Sequence, residues 1–227
     1  MIDITTTATL RPDILDVTYT SFKKHMFKNK ECRLIINIDP VGDDHLYNQN
    51  DVEAMARQHF ENVVIRKPEK ANFTKALKWV WSQVKTDLFF NLEDDWKLNA
   101  DLNFPYMVEV MKKFPKLALL RLAKRDSGEN WAQLYDTPHV EAKWNGHYFE
   151  HPKASYTGMP SLIRTEFIRG LSGVLKDNEN HERAVKVLRC QNHPAMADWI
   201  FGAYTEKNVS PRLVTNIGIP WRNKRGI

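Results

Sequence analysis

The first half of the chain alternates short apolar runs with segments of helical periodicity, and this pattern limits the possible folds more than any other feature. The strand-like runs lie at residues 2–9, 33–39, 62–67, 87–92 and 117–123. Apolar residues recur at helical spacing over residues 12–26, 49–60, 72–85 and 104–114. Strand, helix and strand in repetition are typical of a sheet with helices on both faces. We therefore predict an α/β fold with a mostly parallel, Rossmann-like central sheet.

The second half of the chain differs in composition. Residues 126–160 are rich in Gly, Pro, His, Asn and aromatic side chains, which is typical of loops that carry recognition on a rigid scaffold. Regular structure is expected again at residues 161–171, 181–190 and 194–208, followed by a β-like run at 210–219. We expect one domain over residues 1–227, with a regular half (1–125) and a loop-rich half (126–227).

Composition excludes some classes of protein. A chain of 227 residues can bury one substantial core. None of its apolar runs approaches the roughly 18 residues that cross a membrane, and the first residues lack the basic and apolar regions of a secretory signal. Two cysteines cannot form a disulfide framework, which favours a reducing cytoplasm, that of the host if the chain is viral. The net charge of +5 favours polyanionic partners.

Three consecutive acids, Glu93, Asp94 and Asp95, follow the strand-like run 87–92, and Asp39 ends the run 33–39. Ligands of open parallel sheets bind outside the carboxyl ends of the strands, so we expect both acid groups to face one crevice. Adjacent carboxylates repel each other and are costly to desolvate. Solvent, a nearby arginine or a divalent cation could offset that cost, and Mg²⁺ and Mn²⁺ are ions that carboxylate oxygens bind.

The order of these features resembles the GT-A fold of nucleotide-sugar glycosyltransferases, in particular the inverting family-2-like group. The resemblance is carried by the first strand, Asp39, the helix start "ANFTKAL" and above all "LFFNLEDDW". Weaker similarities follow in "GMPSLIRTEFI", in "MADWIFGAY", where that group has an acid opening a helix, and in "VTNIGIPWRNKRGI". Together they cover most of residues 2–222.

The resemblance implies a metal-dependent, inverting transfer of one sugar from a nucleoside-diphosphate sugar, a UDP-sugar first, to a hydroxyl acceptor. Residues 1–125 would then bind the nucleotide sugar and residues 126–227 the acceptor. Asp95 and Glu93 match the acids that hold Mn²⁺ or Mg²⁺, and Asp198 matches the general base. The nucleotide-sugar-binding positions would be Thr6, Thr7, Arg11, Asp39, Lys75 and Asp94.

Several of these residues have simpler interpretations. The threonines are also ordinary strand residues, Lys75 could be a surface lysine, and Asp198 could merely be a carboxylate at a helix N-terminus. The chain also departs from the family pattern, since its first strand lacks the Pro-x-Tyr-Asn motif and no late histidine is present as a third metal ligand.

The acceptor is the least determined partner. Candidate acceptor residues are Trp131, Trp144, Tyr156, Trp199 and Arg222. The aromatic residues could stack on a sugar or a base, or they could form a small core under a loop. The basic charge suggests a hydroxymethylated base in DNA, as in bacteriophage glycosyltransferases; lipopolysaccharide or capsule saccharides are the competing acceptors.

Two alternatives from other classes stay open. A nucleotidyltransferase would also place acids around a metal, but "TTTATLRPD" lacks the glycine-rich loop expected after its first strand. A non-catalytic module that binds nucleic acid or saccharide could keep the same fold without turnover. The sequence does not predict an oligomeric state.

Overall fold

The computed structural model describes residues 1–122, 148–150, 156–196, 198–204 and 213–225, of which residues 148–150 are described by their backbone alone. The strands are β1 (Ile2–Leu10), β2 (Cys32–Gly42), β3 (Asn62–Arg66), β4 (Leu88–Asn91), β5 (Trp96–Leu98), β6 (Leu117–Leu122), β7 (Tyr148–Glu150), β8 (Ser161–Arg164), β9 (Ile200–Tyr204) and β10 (Val214–Asn216). The helices are α1 (Pro12–His25), α2 (Gln49–His59), α3 (Phe73–Ser82), α4 (Phe104–Lys113), α5 (Thr165–Val174), α6 (His181–Cys190) and α7 (Ile219–Arg225).

The central sheet of the described residues has the strand order β3-β2-β1-β4-β8-β6-β9-β7. Neighbours β3, β2, β1 and β4 are parallel, and so are β6 and β9, whereas β8 and β7 pair antiparallel to their neighbours. The mostly parallel α/β fold is therefore as predicted. The chain moves outward from β1 to β3 and then returns to place β4 on the other side of β1. This reversal between β1 and β4 is the switch point where open sheets bind ligands.

Apolar side chains of the helices cover both faces of the sheet. Helices α1, α2 and α4 pack their buried apolar residues into one cluster with one face of β1, β2 and β4. Helices α3, α5 and α6 pack into a second cluster on the opposite face. Because β1 and β2 are covered on both sides, they read as continuous buried strands. Among the helices that the structure describes, none has the length and apolar character that a membrane crossing requires.

The structure corrects one expected helix. Regular structure was expected at residues 194–208, and the resemblance implied a helix opened by an acid at Asp198, but residues 200–204 form strand β9 beside β6. A five-residue apolar run has too few residues for periodicity to distinguish a strand from a helix. The sequence also did not predict the small second sheet, in which β5 pairs antiparallel with β10 directly after the three acids.

Candidate functional site

A pocket of about 210 Å³ opens at the switch point between β1 and β4. The predicted residues that line it are Thr7, Arg11, Asp39, Glu93, Asp94 and Asp95. Phe73 from α3 and two residues near the chain end, Asn216 and Arg222, also line it. The two acid groups therefore face one crevice, as the strand order of the first half predicts.

The carboxylate of Asp94 is bonded by Thr9, near the end of β1, and by Arg11, which follows this strand. Its two carboxylate oxygens accept hydrogen bonds from Arg11 Nε at 3.0 Å and Arg11 Nη2 at 2.6 Å. The backbone N–H and hydroxyl of Thr9 donate to the same carboxylate at 3.0 and 3.3 Å. Both charged side chains are more than nine-tenths buried. This is a bidentate, charge-assisted pair, the geometry in which an arginine holds a carboxylate most firmly.

Asp95 is bonded by residues from both ends of the chain. Arg222 Nη1 donates to Asp95 Oδ2 at 2.8 Å, and Arg11 Nη2 donates to the same oxygen at 3.3 Å. Asn216 Nδ2 donates to Oδ1 at 3.3 Å. The backbone of Gly218 passes so close that a Cβ atom there would collide with this carboxylate. We call Arg11, Asp94, Asp95 and Arg222 the acid corner.

Glu93 lies on the other side of the pocket, beside the loop before β8 and the start of α6. Trp96 Nε1 donates to Glu93 Oε2 at 2.9 Å. Burial raises the pKa of Glu93 to about 8; the Trp96 hydrogen bond opposes that rise, and the charges of Asp95, Asp94 and Glu182 add to it.

Glycine at position 158 makes room for the Glu93 carboxylate. A Cβ atom there would lie 2.6 Å from Glu93 Oε1 and 3.3 Å from His181 Nε2, so both side chains converge on this glycine. The N–H of Gly158 and the hydroxyl of Thr157 both donate to Glu182 Oε1, at 2.8 and 2.9 Å.

His181 is buried between the rings of Phe73 and Tyr156, and burial lowers its pKa. Neither of its ring nitrogens has a hydrogen-bond partner among the described residues. We call Glu93, His181 and Glu182 the glutamate corner.

Asp39 lies near the carboxyl end of β2 and lines the pocket. Its side chain is buried, and burial raises its pKa against the opposing effects of Asn37, the N–H of Asn72 and the charge of Arg66. Asn37 Nδ2 donates to Asp39 Oδ1 at 2.8 Å. A carboxyl group in this position can still accept or donate hydrogen bonds to a ligand in the pocket.

Two predicted nucleotide-sugar residues are not brought to the pocket. Thr6 points into the core, where it is 1% exposed, because alternate residues of β1 face opposite sides of the sheet. Lys75 is exposed on α3, and its ammonium lies 3.6 Å from Asp177. Phe73, two residues earlier, is the α3 side chain that lines the pocket.

Asp198 and Trp199 lie at the wrong edge of the sheet for the predicted roles. They precede β9, which runs parallel to β6, so they lie at the amino ends of these strands and the acids lie at the carboxyl ends. Asp198 is exposed, 3.8 Å from Lys116, which precedes β6. Trp199 packs edge-on against Phe167 of α5. The structure therefore does not bring Asp198 near the pocket as a general base.

The other predicted acceptor residues have different outcomes. Tyr156 is 3% exposed and packs in the second core cluster, with its edge at a cavity of about 720 Å³ along α6. Arg222 belongs to the acid corner and lines the pocket. Trp131 and Trp144 lie outside the described residues.

Sequence reasoning missed Glu182 and His181. The available signal was Asn180, a favoured N-cap residue that marks a helix start after a loop, and binding and catalytic residues are disproportionately found on loops. It also missed Asn216, for which no local pattern exists.

Among the described residues, no group of three or more His, Cys, Asp or Glu side chains is arranged to hold a metal ion. The oxygens of Asp94 and Asp95 accept from arginine, amide, backbone and hydroxyl donors instead. Of the two predicted Mn²⁺ or Mg²⁺ ligands, Asp95 accepts from two arginines and Glu93 accepts from Trp96. As they stand, these two carboxyl groups do not fit a metal.

No family model matches the chain, and no curated protein matches it by sequence. Solved structures do match. The Staphylococcus aureus protein TarS, residues 1–349 in complex with UDP, superposes with a TM-score of 0.59 at 13% identity. A mannosyltransferase from Pyrobaculum calidifontis, in complex with GDP-mannose and Mn²⁺, gives a TM-score of 0.58 at 11% identity.

The chain has a GT-A-type fold. Each of these two matches covers 91% of the chain but only 59% and 55% of the longer protein, respectively. A CMP-2-keto-3-deoxy-manno-octonic acid synthetase, in complex with CTP, matches with a TM-score of 0.55 at 13% identity and covers all of this chain and 98% of its own. At such identities the similarity shows the fold and leaves the activity to the site.

Proposed function

We propose that the chain is a glycosyltransferase that moves one sugar from a nucleoside-diphosphate sugar to a hydroxyl acceptor with inversion. The observation that carries the proposal is the crevice at the switch point, which Asp39 and Glu93 line, together with Glu182 in the neighbouring cavity along α6. Glu93 and Glu182 both converge on Gly158. Asp39 can bond a nucleotide, and the two glutamates can accept a proton from a reacting hydroxyl.

The nucleotide would lie against the carboxyl ends of β1 and β2. Asp39 would bond the nucleoside, and Thr7 would line the pocket beside it. Phe73, whose side chain is 42% exposed, would stack on the base. UDP, UDP-GlcNAc and GDP-mannose are bound by structural neighbours, so uridine and guanosine nucleotides are the first donors to test. The expected Mn²⁺ or Mg²⁺ has no part in this proposal, because Asp94 and Asp95 already accept from arginines.

Glu182 takes the role of general base in place of Asp198. It is an exposed carboxylate whose Oε1 is fixed by Thr157 and Gly158. The acceptor oxygen would form a bond to the anomeric carbon as the bond from that carbon to the donor phosphate breaks. The hydroxyl proton would pass to Glu182, and the nucleoside diphosphate would leave with the bonding electrons.

The acceptor would approach along α6. Arg183 and Lys186 line the cavity next to Glu182, and neither forms an ion pair with another described residue. Their charges favour an acceptor that carries phosphate. A hydroxymethylated base in phage DNA and a phosphate-bearing saccharide both meet this description.

The first test is donor turnover. The purified chain is incubated with UDP- and GDP-sugars and with either hydroxymethylcytosine-containing DNA or oligosaccharides, and released nucleoside diphosphate and labelled product are measured. We expect E182Q to lower transfer by about 10²–10⁴-fold, with UDP or GDP binding unchanged. Glutamine keeps the oxygen that Thr157 and Gly158 bond, so the fold is retained.

The matched control is D198N, since Asp198 is exposed at the opposite edge of the sheet. It should transfer sugar as the wild type does. Loss of transfer in D198N with full activity in E182Q would reject this assignment of the base. Donor binding without turnover on any acceptor would favour the non-catalytic module.

A cytidylyltransferase-like activity is the second candidate, favoured by the full-length match to the CTP-bound synthetase. One feature of this chain speaks against it. Only Arg11 separates β1 from α1, so no glycine-rich loop is available there to wrap a triphosphate. Pyrophosphate release from CTP in the presence of sugar acids would support this candidate over sugar transfer.

A further inference from the structure

The three acids that follow β4 raise the question of what balances their charge. For Asp94 and Asp95, two arginines do so. Arg11 and Arg222 carry two positive charges against those of Asp94 and Asp95, and all four side chains are in contact. The acid corner is thus close to neutral without any further cation.

A divalent ion would have to displace these contacts. Asp94 accepts four hydrogen bonds from Arg11 and Thr9, and Asp95 accepts three, from Arg11, Arg222 and Asn216. An ion at Asp95 would also lie beside two guanidinium groups, which repel it. The side chain of Asp95 is 96% buried, and the backbone of Gly218 packs directly against its carboxylate. This carboxylate therefore cannot rotate outward to bind an ion at another position.

Arg222 is the cation of the corner that a ligand can reach. Its side chain is 37% exposed and lines the pocket, whereas that of Arg11 is 8% exposed. A guanidinium has five N–H donors. Arg222 gives one to Asp95 at 2.8 Å and one to Asn216 at 3.1 Å, which fixes its plane and leaves the other donors for an anion.

Helix α7 holds Arg222 in place over the pocket. Trp221 Nε1 donates to Asp43 at 2.8 Å, and Arg225 pairs with the same carboxylate. The Arg11 guanidinium lies 4.9 Å from the centroid of the Trp221 ring. Helix α7 is thereby bonded to Asp43, which follows β2, and packs against Arg11, which follows β1. The guanidinium of Arg222 is therefore positioned in the absence of a ligand.

We infer that this pocket binds a nucleoside diphosphate without a divalent cation, with the guanidinium of Arg222 contacting the diphosphate. The inference rests on the proposed function, because it assigns the diphosphate of the donor to the acid corner. It departs from the metal dependence that the resemblance implies. Arginine suits the task, since its planar group bonds phosphate oxygens in pairs and stays charged at every working pH.

The test is calorimetric titration of the full chain with UDP and with GDP, each in EDTA and again in Mn²⁺. We expect one affinity in both buffers. R222Q should weaken binding about 10- to 100-fold, the effect of losing a charge-assisted contact. R222K should recover part of the loss, because it keeps the charge without the paired N–H groups.

The matched control is K224Q, which removes one positive charge from the same helix at an exposed residue outside the pocket. It should bind as the wild type does. Circular dichroism checks that R222Q is folded; if it is not, the comparison of EDTA with Mn²⁺ on the wild type still decides.

Three results would count against the inference. Binding that appears or strengthens only with Mn²⁺ would overturn it and leave the proposed function standing, and so would R222Q binding as the wild type does. If neither UDP nor GDP binds in either buffer, the proposed function itself fails.

Discussion

The acid corner and the glutamate corner lie on the same edge of the sheet, and Glu93 brings the second to the pocket that the first lines, yet they are built differently. In the acid corner, each carboxylate accepts hydrogen bonds from arginine and from uncharged donors. In the glutamate corner, a carboxyl with a raised pKa lies near a histidine whose nitrogens have no partner among the described residues. The protein supplies hydrogen-bond partners for every carboxylate of the acid corner, whereas His181 of the glutamate corner has none among the described residues.

From this difference we assign a structural role to the acid corner and a chemical role to the glutamate corner. Groups that the fold has already paired resist change, because breaking a buried pair leaves an uncompensated charge. Unpaired buried groups cost free energy in the absence of a ligand and are commonly kept where a ligand contacts them. We therefore expect substitutions in the acid corner to act mainly on stability, apart from the exposed Arg222, and those in the glutamate corner mainly on transfer.

The largest effect is expected from D94N. Asparagine cannot accept the paired bonds of Arg11 as a charged partner, and it leaves a buried guanidinium whose one remaining carboxylate partner among the described residues is Asp95. The free energy of unfolding should fall by about 3–5 kcal/mol, as measured by urea denaturation. D44N, at an exposed position, is the control and should change it little. Equal stability of D94N and D44N would contradict the structural role of the acid corner.

A smaller, pH-dependent effect is expected at Asp3, at the start of β1, which repeats the design of the acid corner. Burial acts to raise the pKa of Asp3, but hydrogen bonds from Arg33 and from the N–H groups of Lys85 and Thr86 outweigh it and lower the pKa. A lowered pKa stabilises the fold above the unfolded-state value near 3.8 and loses that contribution as the pH falls through the folded-state pKa.

Denaturation of the wild type and D3N from neutral to acidic pH measures this contribution. The wild type should be the more stable at neutral pH, and the difference should narrow below pH 3.8. A difference that grows on acidification would show that the ion pair is not what Asp3 contributes.

G158A should have a moderate effect in the glutamate corner. The added methyl would meet Glu93 Oε1, which Trp96 holds in place, and overpacking of this kind costs about 1–3 kcal/mol. G170A is the matched control, because nothing lies near a Cβ there and alanine is favoured within α5, by about 0.5–1 kcal/mol. Thermal unfolding should therefore move in opposite directions for the two variants. A stabilised G158A would mean that Glu93 is free to move away.

Much of this pocket could be predicted from sequence because it follows from strand order. Periodicity placed β1 to β4 within a few residues, and parallel strands bring their carboxyl ends to one edge, so Asp39 and the three acids had to converge. Asp198 was assigned by the resemblance and not by strand order, and the short apolar run after it fits a strand as well as a helix.

Long-range pairing could not be predicted. Arg11 and Asp94 are 83 residues apart, and Arg222 and Asp95 are 127 apart. Nothing in the local pattern of either arginine indicates which carboxylate it meets. The sequence therefore raised solvent, arginine and a divalent cation as partners for the acids and favoured the cation, whereas the folded arrangement places arginines against Asp94 and Asp95.

The smallest effect on stability is expected from H181F. This variant tests most directly whether the two corners have different roles. His181 is packed between aromatic rings with no hydrogen bond among the described residues, so phenylalanine keeps the packing and removes two unpaired polar atoms. The free energy of unfolding should stay the same or rise by up to about 1 kcal/mol, while sugar transfer falls. H59F is the matched control, because His59 also packs on an aromatic ring but lies 2.7 Å from Asp16, and its loss should destabilise the fold. If H181F proves as destabilising as H59F, His181 is a structural residue. The glutamate corner would then have the same structural role as the acid corner.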